Sequence, residues 1–233
     1  VVNSMGYVDH KLIKNGGNEV FENHFSASKN LIFSLNRKYL KCFLQLGSSD
    51  EYGNNPSPQI EDLRESPISP YSFAKVATCH MLQMLNKTEK FPASILRLFL
   101  VYGPNQNNER FLPFIINESI KNKEYLVSPG EQIRDFFSID ALIDAICIVI
   151  NDNKNRCEIF NVGSGKGMMI KDFVSDVLKT CGMRNVDSVL LNTSKSSIIK
   201  NVLNCSKIHN KLGWKDETSL RTSILDAWNH FKE

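Results

Sequence analysis

The 233-residue sequence has no pair of cysteines at Cys-x-x-Cys spacing, no apolar run approaching the ~18 residues that a membrane-spanning helix needs, and no marked excess of one charge. The first absence removes the usual thiolate metal sites. The six cysteines, at 42, 79, 147, 157, 181 and 205, sit in or near apolar runs such as Ala145-Ile146-Cys147-Ile148 and read as reduced thiols. The second absence, with no charged-then-apolar leader before the first element, predicts a cytoplasmic protein without a membrane partner. A net charge of +3 supplies no broad basic face, so nucleic acid is not expected as a partner, whereas a small acidic ligand is compatible. Also lacking is any Gly-x-x-Gly-x-x-Gly between a strand and a helix, the loop that seats a dinucleotide pyrophosphate on a helix N-terminus.

What is present is a chain able to bury a sizeable core, patterned as alternating strands and helices. Helical spacing from Asn18 to Asn36 places Val20, Phe21, Phe25, Leu31, Ile32 and Leu35 on one side. Cys42 to Leu46 is a short apolar run suited to a strand buried on both faces. Four prolines between Asn54 and Pro70 mark a surface loop. A helix follows from Tyr71 to Lys87, then a buried strand from Ala93 to Phe99. Further helices are predicted over Phe111–Asn122, Ile139–Ile150, Ile170–Cys181 and Ser219–Phe231, with a short strand Ile159–Val162. This alternation argues an α/β fold with a parallel sheet covered on both sides.

The strongest chemical constellation is Tyr71-Ser72-Phe73-Ala74-Lys75. A tyrosine and a lysine four apart at a helix start share a face, and an ammonium beside a phenol favours the phenolate over an unperturbed pKa near ~10. Taken alone, such a pair is more often a solvated surface feature. Its context is Gly47-Ser48-Ser49-Asp50-Glu51-Tyr52-Gly53, about two dozen residues upstream and directly after a strand, where ligands of open parallel sheets collect. Ser48 is placed to hydrogen-bond the substrate oxygen that Tyr71 would serve. Asn161-Val162-Gly163-Ser164-Gly165-Lys166-Gly167 fails the P-loop spacing, which excludes a kinase reading.

The ordered set Ser48, Tyr52-Gly53 and Tyr71-x-x-x-Lys75 resembles the extended short-chain dehydrogenases, NAD-dependent epimerases and dehydratases of nucleotide sugars. The resemblance continues through Leu96-Arg97-Leu98-Phe99-Leu100-Val101-Tyr102-Gly103-Pro104, Arg134-Asp135, Asn161-Val162-Gly163 and Leu212-Gly213-Trp214, and covers essentially the whole chain. It implies that Tyr71 moves the sugar hydroxyl proton, that Lys75 also holds the nicotinamide ribose, that Ser48 polarises the oxygen and that Arg134 forks onto the nucleotide diphosphate. Asp50 stands where the family's dehydratases carry a glutamate that removes the C5 proton. With one methylene fewer it is either that base or a structural hydrogen bond in a turn, and Glu51 should face the other way if the segment is extended. Leu100 departs from the family, whose members commonly place a substrate-contacting asparagine there.

The implied fold is a Rossmann-like doubly wound parallel sheet. Residues 1–103 would form a dinucleotide-binding domain to which 134–163 return, and 104–133 with 164–233 a smaller substrate domain, with the active site between them. The implied cofactor is NAD or NADP, and the helices at 18–36 and 71–87 resemble those through which relatives form homodimers. The strand-like opening Val1-Val2-Asn3 and the absent glycine loop lead to the expectation that a segment precedes Val1, and that residues 1–233 alone do not bind NAD(P) tightly. The function implied is a nucleotide-sugar epimerase or 4,6-dehydratase working through a 4-keto intermediate. Alternatives are a keto-sugar reductase of the same family and a protein that binds nucleotide sugars without turnover.

Overall fold

The computed structural model describes residues 1–121, 125–127, 130–154, 156–183, 189–191 and 200–232. In chain order its strands are β1 (Val2–Asn3), β2 (Phe43–Ser48), β3 (Ala93–Leu98), β4 (Leu100–Tyr102), β5 (Tyr125–Val127), β6 (Ile133–Ser138), β7 (Ile159–Val162), β8 (Gly167–Met169), β9 (Val189–Leu191) and β10 (Lys200–Asn201). Its α-helices are α1 (Gly17–Phe21), α2 (Ala27–Ser34), α3 (Pro70–Glu89), α4 (Phe111–Ile120), α5 (Ile139–Asn151), α6 (Ile170–Thr180), α7 (Ser206–Leu212) and α8 (Leu220–Lys232). Two compact units result, one of Val1–Phe99, Ala145–Val162 and Leu203–Trp214, the other of Leu100–Asp144, Gly163–Val202 and Lys215–Glu233.

The first unit is built on a wholly parallel sheet in the order β1-β2-β3-β7. Because strand side chains alternate, Phe43, Ala93 and Ile95 share the face that packs on Ile32 of α2 and on Cys79, Leu82 and Leu85 of α3. Leu44, Leu96 and Phe160 take the other face, where Lys207 of α7 lies over the Phe160 ring. Both faces are therefore covered, and that is why these strands read as apolar runs without alternation. Each fully buried Leu, Ile or Phe here contributes about 1.5–3 kcal/mol. This is the Rossmann-like parallel architecture that the sequence implied.

The helical run predicted from Asn18 is not uniform: α1 and α2 are joined by a π-helical turn, Glu22–Ser26, which carries buried His24. β2 extends two residues past Leu46, so that Gly47 and Ser48 remain in the ladder, paired with Arg97 and Leu98.

In the second unit β6 pairs with β10 and β4 in parallel and with β8 antiparallel, while β5 and β9 form a separate parallel pair. Its core gathers Tyr102, Leu112, Ile115 and Ile116 with Phe173 and Val177 of α6 and Ile224 and Ala227 of α8. The apolar spacing of each helix supplies one face of that core. The predicted end of the helix begun at Phe111, Asn122, lies outside the described residues. Among the described residues no helix is long and apolar enough to cross a membrane, and no group of three His, Cys, Asp or Glu could hold a metal ion. All six cysteines are free thiols.

Candidate active site

The C-terminal end of β2 turns directly into a 3-10 turn, Ser49–Tyr52, and Ser48 is its N-cap. Ser48 Oγ accepts the Asp50 N–H at 3.2 Å, and the Ser48 N–H donates to Glu51 Oε1 at 2.9 Å, a reciprocal capping box. The turn replaces the extended segment that the sequence suggested. It still separates the two acids, sending Asp50 outward and Glu51 inward. Glu51 is fully buried against Arg97, whose Nε donates to Glu51 Oε2 at 2.8 Å while its Nη2 donates to Glu65 Oε1 at 2.5 Å. The Arg97 guanidinium also lies 4.6 Å from the centre of the Tyr52 ring. Burial pushes the Glu51 carboxyl up, and the guanidinium and the Ser48 N–H oppose that shift. A side chain at Gly47 would have its Cβ 2.6 Å from Glu51 Oε1, so glycine there lets the carboxylate close over the strand end.

The helix that carries Tyr71 and Lys75 begins beside this turn. Ser69 caps α3 by accepting the Ser72 N–H at 3.1 Å, Ser72 answers with its own hydroxyl, and Pro70 fits the first helical position. One turn later Lys75 Nζ donates to the Leu46 carbonyl at 3.0 Å, tying α3 to β2 two residues before Ser48. The same nitrogen stands 5.7 Å from the centre of the Tyr71 ring. Burial pulls the Lys75 ammonium below its ordinary 10.5, against the Coulomb pull of Glu51. Tyr71 is 6% exposed, covered in part by imidazoles that meet it edge-to-face: His24 at 5.1 Å and His10 at 5.6 Å between ring centres. His10 Nε2 in turn stands 3.6 Å from Asp50 Oδ2, and its Nδ1 lies 3.4 Å from Ser69 Oγ.

Ser48, Asp50, Tyr71 and Lys75 thus gather at one end of β2, with two histidines that sequence reasoning did not single out. His24 left a faint signal: it falls four residues after Val20 and eight before Ile32, an imidazole on an otherwise apolar stripe. His10 left none, since it lies in a stretch without regular structure. Arg97 was legible only as a charge inside an apolar strand.

Arg134 belongs to the second unit. Alternation along β6 sends Arg134 and Asp135 to opposite faces, so they do not act as a local pair. Asp135 instead accepts the N–H groups of Ser164 and Gly165 at 2.8 and 2.9 Å and the Ser164 hydroxyl, which fixes the turn after β7. The Arg134 Nη1 donates to the Ile133 carbonyl at 2.9 Å. Asn161 is structural too. It accepts the Tyr52 hydroxyl at 2.7 Å and donates to the carbonyls of Gln59 and Asn204.

The chain is similar to a human dTDP-D-glucose 4,6-dehydratase, at 22% identity over 211 residues, covering 87% of this chain and 60% of that protein. A probable UDP-arabinose 4-epimerase 3 of Oryza sativa subsp. japonica is 26% identical over 214 residues, 81% of this chain and 52% of that one. The chain therefore spans between half and two thirds of the length of these relatives. In three dimensions it superposes on the UDP-glucuronic acid 4-epimerase from Bacillus cereus, solved with UDP-glucuronic acid and NAD. That match has a TM-score of 0.88 and 24% identity, over 98% of this chain and 74% of the other. The family model described as NAD dependent epimerase/dehydratase family matches residues 1–163. With the parallel sheet and the tyrosine–lysine helix packed on its face, this match places the chain in the NAD-dependent epimerase/dehydratase family.

Proposed function

We propose that this chain carries the catalytic groups of a nucleotide-sugar epimerase or 4,6-dehydratase that works through a 4-keto intermediate. The observation that carries the reading is the Tyr71–Lys75 pair, one helical turn apart and fastened to the end of β2 by the bond from Lys75 to the Leu46 carbonyl. Tyr71 takes the proton of a sugar hydroxyl, Lys75 favours the phenolate electrostatically, and Ser48 polarises the same oxygen. A nicotinamide dinucleotide, NAD or NADP, supplies hydride acceptance and return when bound.

The donor chemistry fits the nicotinamide end of such a cofactor. An ammonium carries three donors, and the bond to Leu46 occupies one, which suits a vicinal diol such as a ribose. Tyr71 and Lys75 would hold that ribose. Arg134, a planar fork, suits the diphosphate of the sugar nucleotide. On this reading residues 1–103 with 134–163 form the dinucleotide-binding domain, and 104–133 with 164–233 the substrate domain; the compact units differ chiefly in taking 134–144 into the second and 203–214 into the first.

Asp50 decides between the two reactions. Its carboxylate is partly exposed and near His10, a position open to a substrate. As a base at C5 it would lead to elimination of water; without that role the outcome is epimerisation. Incubating the full-length protein with NAD(P) and a panel of UDP-, dTDP- and GDP-sugars and weighing the products separates them, since only elimination loses water. Product unchanged in mass but inverted at C4 would remove the dehydratase, and no turnover with a bound nucleotide sugar would favour the binding protein. A keto-sugar reductase would show itself by net consumption of NAD(P)H.

Cytoplasmic residence accords with six free cysteines. A homodimer accords with the outer surface of α3, where Phe73 and Met84, eleven residues apart, share a face and are each about half exposed. Phe73 stacks on Phe21 of α1, which stacks on Phe25.

A further inference from the structure

The π turn at Glu22–Ser26 puts an extra residue into one helical turn, a distortion that often accompanies function. Its buried side chain is His24, 3% exposed. The Nε2 of His24 accepts the Tyr7 N–H at 3.3 Å, so the neutral ring carries its proton on Nδ1. That Nδ1 finds no hydrogen-bond partner among the described residues. A buried donor left in this way forfeits its hydration without return, and native structures rarely tolerate it without a reason.

Packing and the bond to Tyr7 do not supply the whole reason, because an aliphatic residue would fill the stripe that includes Val20 and Ile32 and the Tyr7 N–H engages Nε2 alone. The surroundings point elsewhere. Gly6, at φ +115°, faces the ring: a Cβ there would lie 2.4 Å from His24 Nδ1 and 2.2 Å from Cε1. Glycine thus lets the backbone at position 6 approach the Nδ1–Cε1 edge of the ring, where a side chain would collide with it. The ring meets Tyr71 edge-to-face at 5.1 Å, and the charge of Lys75 acts on it. Burial first, and that charge second, hold the imidazole below its ordinary pKa, which keeps it a neutral donor.

We infer that His24 is a positioning residue of the Tyr71–Lys75 centre, whose Nδ1–H holds a hydroxyl-type oxygen beside the phenol. The inference rests on the proposed function. The oxygen belongs either to a hydroxyl of the bound ligand or to an ordered water, and both present the same acceptor to the ring.

Two substitutions and one spectroscopic measurement test it. His24→Asn sets an amide donor close to the position of Nδ1, whereas His24→Phe keeps a ring and removes the donor. In the full-length protein with NAD(P) and a turned-over nucleotide sugar, His24→Phe is expected to lose about 10–100-fold in kcat with KM changed less than about threefold, and His24→Asn to stay within about threefold of the parent. Independently of turnover, ring 15N shifts of the labelled protein should show Nδ1 protonated at neutral pH. A shift of that signal on adding NAD(P) or the sugar nucleotide identifies a ligand hydroxyl; an unmoved signal with magnetisation transfer from solvent identifies a water.

Equal losses in the two variants, full turnover in His24→Phe, or an unprotonated Nδ1 would overturn the inference. Should His24→Phe fail to fold, the asparagine variant and the 15N spectrum decide. Tyr71→Phe separates this result from the broader reading. Inactive Tyr71→Phe beside fully active His24→Phe sinks the role of His24 alone, while active Tyr71→Phe sinks the proposed function and leaves the 15N result standing.

Discussion

Burial costs the Lys75 ammonium hydration that its bond to the Leu46 carbonyl only partly returns. Its pKa in the folded protein lies below 10.5, so across neutral pH the folded state disfavours the charge that the unfolded chain carries freely. Lys75→Met is accordingly expected to leave stability unchanged or raise it by up to about 2 kcal/mol in urea melts, while turnover falls at least ~100-fold. Arg97 behaves oppositely. Truncating it strands the Glu51 carboxylate in the core, and Arg97→Met should cost about 3–5 kcal/mol by the same measurement. His24 sets a pH dependence. Its folded pKa is below the ordinary 6.5, so its contribution is fully present above 6.5 and is lost as pH falls through that value toward the folded pKa. The urea midpoint should drop between neutral pH and pH ~5, and His24→Phe should flatten that drop by up to one proton's worth of slope.

At the scale of elements, α3 depends on its start. Ser69 and Ser72 satisfy each other's backbone groups, and Ser69→Ala should cost about 1 kcal/mol of stability and loosen the first turn, where Tyr71 sits. The long helices, β2, β3 and β7 were legible because burial on two faces or one stripe leaves a period in the sequence. β4, β8 and β10, of two or three residues each, leave no such period. β6 was legible as the Arg134-Asp135 motif and not as a strand, since its pairing comes from residues distant in the chain. The candidate site was half legible. Tyr71 and Lys75 announce themselves by spacing, Ser48 by its place directly after a strand and Asp50 only through the family resemblance, whereas His10 and His24 reach Tyr71 only through tertiary packing. The π turn follows from no local propensity, because one added residue in a helix shifts neither composition nor amphipathic pattern enough to read.

For the molecule as a whole, half-exposed Phe73 of α3, stacked on the partly buried Phe21 of α1, is the feature that a second copy would cover. Light scattering of the full-length protein at high concentration should report a dimer, and Phe73→Glu should shift it toward monomer; a monomeric parent would end the dimer proposal.

The segment from Asn54 to Ser69, rich in proline, asparagine and glutamate, has the composition of a protease target. Yet Asn161 grips its Gln59 carbonyl, Glu61 accepts the Asn161 N–H at 2.8 Å, Arg97 holds Glu65, and Asn55 spans to the Arg64 carbonyl at 2.7 Å. A scissile bond must be drawn out to fit a protease, and these ties hold it in place. Trypsin should therefore spare Arg64 in the parent protein, whereas Asn161→Ala should be nicked there early in a timed digest.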